Sequence, residues 1–106
     1  MALKIYWTDF AKNELKKIFN FYKVEASLRV AIKLSTEIAL EATKLEKQPN
    51  IGQKEELLKH SDQTFRYLIY KNHKIIYWIN KHKSRIEIID VFDTRQNPIK
   101  LSRSTK

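Results

Sequence analysis

FRYLIYK (65–71), HKIIYWIN (73–80) and RIEIIDVFD (85–93) follow one another with only Asn72 and the segment KHKS (81–84) between them. Each run is short, rich in β-branched and aromatic residues, and bounded by polar turn formers, which is the signature of a strand. Lys71 and Asn72 suit a tight turn and Lys81 to Ser84 a longer hairpin loop, so the three runs read as an antiparallel meander. Along it, Tyr67 and Ile69 alternate with Arg66, Leu68 and Tyr70, while Ile75, Tyr77 and Ile79 alternate with Lys74, Ile76 and Trp78. Both alternating sets are apolar. A sheet backed by helices on one face should be polar on the other, so Leu68, Tyr70, Ile76 and Trp78, or their opposite numbers, are expected to need a second cover. Ordinary core packing is the competing explanation for Tyr70, Tyr77 and Trp78.

Upstream, Leu3 to Trp7 has strand character and ends at Thr8, whose hydroxyl can cap a helix starting at Asp9. Phe10, Ala11, Leu15, Ile18, Phe19 and Tyr22 then recur at helical spacing, with lysines on the other side. Ser27 can cap a second helix with a stripe of Leu28, Ala31, Ile32, Ser35, Ile38, Ala39, Ala42 and Leu45, stopped at Pro49. The short link at Val24 to Ala26 implies an antiparallel helical hairpin. Residues 49–64 read as a mobile loop, with a single helical turn at Glu55 to Lys59. Its Gly52, the one glycine in the chain, is expected to adopt a backbone conformation that a Cβ would resist.

The resulting expectation is an α+β fold in the order β-α-α-β-β-β, with the helical hairpin packed on one face of a mostly antiparallel four-stranded sheet. The first strand's place and direction stay open, because a two-helix crossover permits more than one. A chain of 106 residues suits one domain, here 1–98, followed by a basic tail at 99–106.

The chain carries 21 Lys and Arg against 12 Asp and Glu, a net charge of +9. Residues 1–49 hold 9 basic and 6 acidic side chains (+3) and residues 50–106 hold 12 and 6 (+6), so the field is strongest on the C-terminal half. A polyanionic or acidic partner is expected. The absence of cysteine excludes disulfides, thiolate metal sites and a thiolate nucleophile. No apolar run has the length of a signal peptide or membrane span, so a cytoplasmic location with no membrane association is expected.

Strand, two helices, a loop containing PNIG, FRYLIYKNHKIIYWIN, then IEIIDVFDTRQNP: in this order and length the chain resembles the RelE/ParE superfamily of type II toxins, which includes plasmid-stabilisation proteins. The resemblance implies a cognate antitoxin that wraps and silences the toxin. An acidic, partly apolar segment would suit both the surplus of aromatics and the positive field, so Leu68, Tyr70, Ile76 and Trp78 are the expected antitoxin contacts. A homodimer and a heterotetramer with the antitoxin are both open.

RelE-like members cleave mRNA on the ribosome, which demands a proton acceptor, a proton donor and cations for the developing phosphorane. Arg66 matches the arginine that opens the family's strand, and Arg95 falls near its arginine beyond the last strand; Lys54 and Lys74 add charge. From Thr94 to Lys106 there is no Tyr, His, Asp or Glu, so the usual C-terminal acid or base is missing. ParE-like members poison DNA gyrase through protein contacts and need neither. The reading therefore favours a gyrase poison that binds its target through Arg66, Arg95, Lys100 and Arg103, with a ribosome-dependent endoribonuclease as runner-up and a plain nucleic-acid-binding module third. No cofactor and no metal is expected. His60, His73 and His82 read as surface histidines. Glu87, Asp90 and Asp93 alternate imperfectly along the last strand, where a carboxylate could serve as the base; Asp90, set among Ile88, Ile89, Val91 and Phe92, is the foremost candidate, and the reading favoured for it is the ion-pair partner of Arg66 or Arg85.

Overall fold

The structure is a computed structural model that describes residues 3–56 and 63–95. Its elements are β1 (Lys4–Trp7), α1 (Asp9–Glu25), α2 (Leu28–Thr43), a 3-10 turn (Lys44–Glu46), β2 (Gln53–Lys54), β3 (Arg66–Tyr70), β4 (His73–Asn80) and β5 (Arg85–Asp93). The α+β order matches the expectation, but the sheet has five strands, ordered β1-β5-β4-β3-β2. The extra strand comes from the stretch read as loop: Gln53 pairs with Tyr67 and Lys54 with Arg66, antiparallel. Two residues are too few for alternation to show in sequence. The helical turn expected at Glu55 to Lys59 runs into residues outside the described ones, as does the tail at 99–106.

β1 takes an edge and runs parallel to β5, Ile5 opposite Ile86 and Trp7 opposite Ile88. The meander is antiparallel, and a two-residue turn at Lys71 and Asn72 brings Tyr70 opposite His73. Lys71 (φ 54°) and Ser84 (φ 51°) adopt left-handed backbone in the two hairpin turns, which right-twisted strands favour at such positions. Between β4 and β5 the register shifts: Ile76 faces Asp90 but Tyr77 faces Ile88. Ile89 is the inserted residue of a bulge, and this explains the imperfect alternation of β5.

Both helices begin as their caps dictate. The Thr8 hydroxyl accepts the Ala11 amide at 3.1 Å and donates to the Ile88 carbonyl at 3.1 Å, tying the start of α1 to the middle strands. Ser27 accepts the Val30 amide at 3.1 Å. Thr8→Ala removes both Thr8 bonds and should cost about 1 to 2 kcal/mol, read as a lower urea midpoint with an unchanged slope.

The helices lie on one face of the sheet. Ala11, Leu34, Ile38, Ala42 and Leu45 pack there against Ile75, Tyr77, Ile86, Ile88 and Val91. Each large aliphatic residue fully buried in this layer stabilises the fold by about 2 kcal/mol before entropy. The buried line of α2 is Ala31, Leu34, Ile38 and Ala42, so it is rotated from the expected stripe; Leu28 and Ile32 are exposed. On α1 the buried positions are Ala11 and Glu14. The opposite face carries its own cluster of Phe65, Ile76, Ile89 and Phe92, flanked by Tyr67 and Trp78.

Candidate functional site

Of the cations singled out in the sequence, Lys54 and Arg66 stand opposite each other on β2 and β3, whereas Lys74 and Arg95 lie apart from them. Arg66 stands opposite Tyr77, and Arg66, Leu68 and Tyr70 share the helix-side face. Lys74 stands opposite Ile69 on the other face. Arg95 follows β5 near His73, four positions along β4 from the partner of Arg66, a separation of roughly 13 Å in an extended strand. Lys100 and Arg103 lie outside the described residues.

Arg66 is a clamp. Its guanidinium donates to the carbonyls of Gly52 at 2.9 Å and Asn50 at 3.4 Å. The neighbouring Tyr77, fully buried, donates its hydroxyl to the Pro49 carbonyl at 2.7 Å and accepts the Gly52 amide at 3.0 Å. Burial pushes the Tyr77 hydroxyl pKa upward against the Gly52 amide and the nearby Arg66 charge, so it stays protonated and able to donate. Together these bonds hold the PNIG segment against β3 and β4. Gly52 is required here by close approach and has no positive φ, a different reason from the one expected.

On the outer face, Lys74 pairs with Glu55 at 2.6 Å and sits 4.1 Å from the centre of the Tyr67 ring. The Tyr67 hydroxyl donates to Gln53 at 2.8 Å. Lys54 is exposed on β2. Arg85 donates to Glu87 at 2.9 Å and stacks 3.8 Å from the centre of the Tyr6 ring. The fully buried Asp90 stands opposite Ile76, while Arg66 stands opposite Tyr77 and donates to the Gly52 carbonyl and Arg85 pairs with Glu87. In Glu87, burial raises the carboxyl pKa, but bonds from Asn80 and Arg85 outweigh it and the net shift is downward.

Arg95 is held differently. Asp93 accepts from its Nε at 2.9 Å and 3.1 Å and also from its Nη2 and its backbone amide, while Asn72 donates to Asp93 at 3.0 Å. The Arg95 side chain nevertheless remains 71% exposed. The Arg95 bond is the main cause that holds the Asp93 carboxyl well below the usual carboxylate range. A carboxyl whose folded pKa lies below its unfolded value of about 3.9 stabilises the fold above that value and loses the contribution as pH falls further. Asp93→Asn should therefore give a shallower acid limb below about pH 4 in a stability-against-pH series, by less than about 1 kcal/mol given solvent screening of this exposed pair.

Behind the Asp93–Arg95 pair opens a cleft of about 380 Å³, lined chiefly by Ile18, Phe21, Tyr22 and His73, with Glu14 and Lys17 at one side. His73 is 1% exposed, not a surface histidine, and its Nδ1 has no hydrogen-bond partner among the described residues. Burial lowers its pKa, with nearby Asp93 opposing and Arg95 assisting, so the ring is neutral near pH 7. Sequence reasoning missed it because a turn-flanking histidine looks exposed. The two-residue turn was the available signal: it makes His73 the first paired residue of β4, facing α1. His82 is exposed and His60 lies outside the described residues.

The expected antitoxin contacts divide between two faces. Leu68 and Tyr70 pack toward the helices, Ile76 is fully buried in the outer cluster, and Trp78 is half-buried beside it. The grouping failed because the hairpin register pairs Leu68 with Ile75, not with Ile76. The Tyr70 hydroxyl donates to Glu37 at 2.5 Å, and this bond is the main cause that pushes its pKa up to about 12. Among the described residues, most of the exposed large apolar side chains are on the helical hairpin, Phe21, Val24, Leu28, Val30, Ile32 and Leu40, with Tyr6, Ile51 and Ile69 exposed elsewhere.

Comparison with known proteins fits this geometry. No curated protein matches the chain in sequence. Among solved structures, the chromosomal ParDE system of P. aeruginosa is similar with a TM-score of 0.73 at 18% identity, covering 89% of this chain and 98% of that one. The E. coli toxin RelE in its free state gives 0.60 at 16% identity, over 90% and 86%. The RelBE2 toxin–antitoxin complex of Mycobacterium tuberculosis gives 0.55 at 14%, over 88% and 99%. At such identities these likenesses concern the fold. The sequence itself matches the family model described as the ParE toxin of the type II toxin–antitoxin system parDE over residues 5–98, and the chain accordingly belongs to the ParE toxin family.

Proposed function

We propose that this chain is the toxin of a type II module, that it poisons DNA gyrase through protein contacts, and that a cognate acidic antitoxin silences it. The observation that carries the reading is the ParE-family match over residues 5–98. Two features of the site support it. Arg66 and Lys74, candidates for phosphorane stabilisation, are engaged by the PNIG carbonyls and by Glu55. Arg95, in contrast, presents an exposed guanidinium whose orientation Asp93 holds in place, the form in which arginine contributes most at a protein interface.

The antitoxin reading draws on the exposed apolar residues of the helical hairpin and on the +9 charge, which suit an amphipathic acidic segment. Of the expected set, Leu68, Tyr70 and Trp78 are half-buried and retain surface for such a partner, whereas Ile76 is fully buried.

One local feature favours the runner-up, ribosome-dependent cleavage of mRNA: Lys74, Glu55 and the Tyr67 hydroxyl put a cation, a carboxylate and a proton donor on one face. Purified chain added to gyrase separates the two. A poison inhibits supercoiling and accumulates cleaved DNA, whereas a ribonuclease leaves gyrase untouched and cuts message only in translating ribosomes. Failure of both assays would remove both mechanisms.

A further inference from the structure

Arg95 stands two positions past Asp93, the last residue of β5, where the chain has left the sheet and a long side chain ordinarily samples many rotamers. It is nevertheless fixed, and the tie comes from the two-residue turn between β3 and β4. The carbonyl of Asn72 accepts the Thr94 amide at 2.8 Å. The side-chain amide of the same residue donates to Asp93 Oδ2 at 3.0 Å. One half-buried turn residue thus gives both a backbone and a side-chain group to the chain leaving β5.

Asp93 converts that anchorage into a direction. Its carboxylate accepts from Arg95 Nε at 2.9 and 3.1 Å, from Nη2, and from the Arg95 backbone amide at 2.8 Å. A planar guanidinium that meets one carboxylate through both Nε and Nη2 has its plane and its free edge set by that carboxylate. The Asn72 bond in turn opposes rotation of the Asp93 side chain, which would carry the guanidinium with it. Stability explains little of this arrangement, because an ion pair whose cation is 71% exposed is screened by solvent. Order at an interface explains more. A long side chain that must be frozen on binding weakens the complex, and one already held does not.

We infer that Asn72 is a positioning residue for target binding: it holds Asp93, Asp93 holds the guanidinium, and Arg95 meets the target already oriented. The inference rests on the reading of Arg95 as a target contact, and not on which target that is. It opposes the simplest electrostatic expectation, in which Asp93 only subtracts charge from a basic surface and its removal strengthens attraction to an acidic target. The two expectations differ in sign.

The test compares Asn72→Ala, Asp93→Ala and Arg95→Ala by colony survival after graded induction and by NMR of the isotope-labelled full-length chain. Asn72 does not have a positive φ, so alanine fits the turn, and its carbonyl still receives the Thr94 amide. In Asn72→Ala the Arg95 Nε–H signal should move toward that of free arginine and exchange faster with solvent, while the other amide signals and the urea midpoint stay close to those of the unaltered chain. The amount of induced chain that halves survival should rise about two- to tenfold, the weight of one rotamer-rich side chain left unordered. Asp93→Ala should act in the same direction and at least as strongly. Adding Asn72→Ala to Arg95→Ala should change survival no further, because the effect runs through the guanidinium, whereas a merely structural loss would add. An unmoved Arg95 Nε–H signal in Asn72→Ala, or greater toxicity in Asp93→Ala, would overturn the proposal. Full toxicity of Asn72→Ala beside a weakened Arg95→Ala would also overturn it and would spare Arg95 as a target contact. Full toxicity of Arg95→Ala removes the underlying reading instead, and the positioning role falls with it even where the NMR signal moves.

Discussion

Gly52→Ala should destabilise this chain by about 3 kcal/mol, the upper end of what overpacking costs, and lower Tm by about 13 °C for a domain of this size. The new Cβ would stand 2.5 Å from the Tyr77 hydroxyl oxygen, 2.7 Å from Tyr77 Cε1 and 2.7 Å from the Tyr67 carbonyl oxygen. Two of those atoms belong to a ring buried at the centre of the core and the third to the backbone of β3, so none can yield cheaply. The same displacement breaks the Gly52 amide bond to Tyr77 and the Arg66 bond to the Gly52 carbonyl. Thermal unfolding by circular dichroism measures the change. Tyr77→Phe separates the contributions, because it removes the hydroxyl that the Cβ would strike and strands the Gly52 amide and Pro49 carbonyl; adding Gly52→Ala to it should cost less than on the native background. Equal costs on both backgrounds would show that the clash with Tyr77 is not the cause.

Arg95→Ala should reduce toxicity sharply while leaving the fold in place. Loss of an arginine at the heart of an interface commonly weakens binding about 30-fold or more, so colony survival after induction should rise toward the uninduced level and the concentration needed to inhibit supercoiling should climb by that factor. The fold should be affected little: solvent screens an exposed ion pair so that it contributes little to stability, and Asp93 keeps its bond from Asn72. Arg95→Lys preserves the charge but loses the bidentate hold that orients the guanidinium, so an intermediate effect is expected. Full toxicity in Arg95→Ala would take Arg95 out of the target-binding surface. Arg66→Ala is the instructive contrast: its effect should appear first as lost stability, because its Nη1 holds the PNIG carbonyls.

Thr8, Asp9 and Ser27 announced both helix starts, and the meander with its two turns was plain, because caps, turns and period-two patterning are written in neighbouring residues. The fifth strand was not. Gln53 and Lys54 become a strand only because Tyr67 and Arg66 pair with them, and nothing in two polar residues advertises that. The candidate site was less legible still. Arg66 and Lys74 look alike as strand cations, yet one closes a loop on the helix side and the other pairs with Glu55 on the opposite face.

From sequence alone came the α+β class, the helical hairpin, the antiparallel meander and the resemblance to the RelE/ParE toxins, all properties of local pattern and element order. Tertiary structure decided which face each residue serves, where β1 docks, what Arg66 binds and that His73 is buried beside a cleft. Those depend on cross-strand register, in which a shift of one residue exchanges the two faces of a strand, and on contacts between segments far apart in the chain, where a residue's type does not say what it will meet.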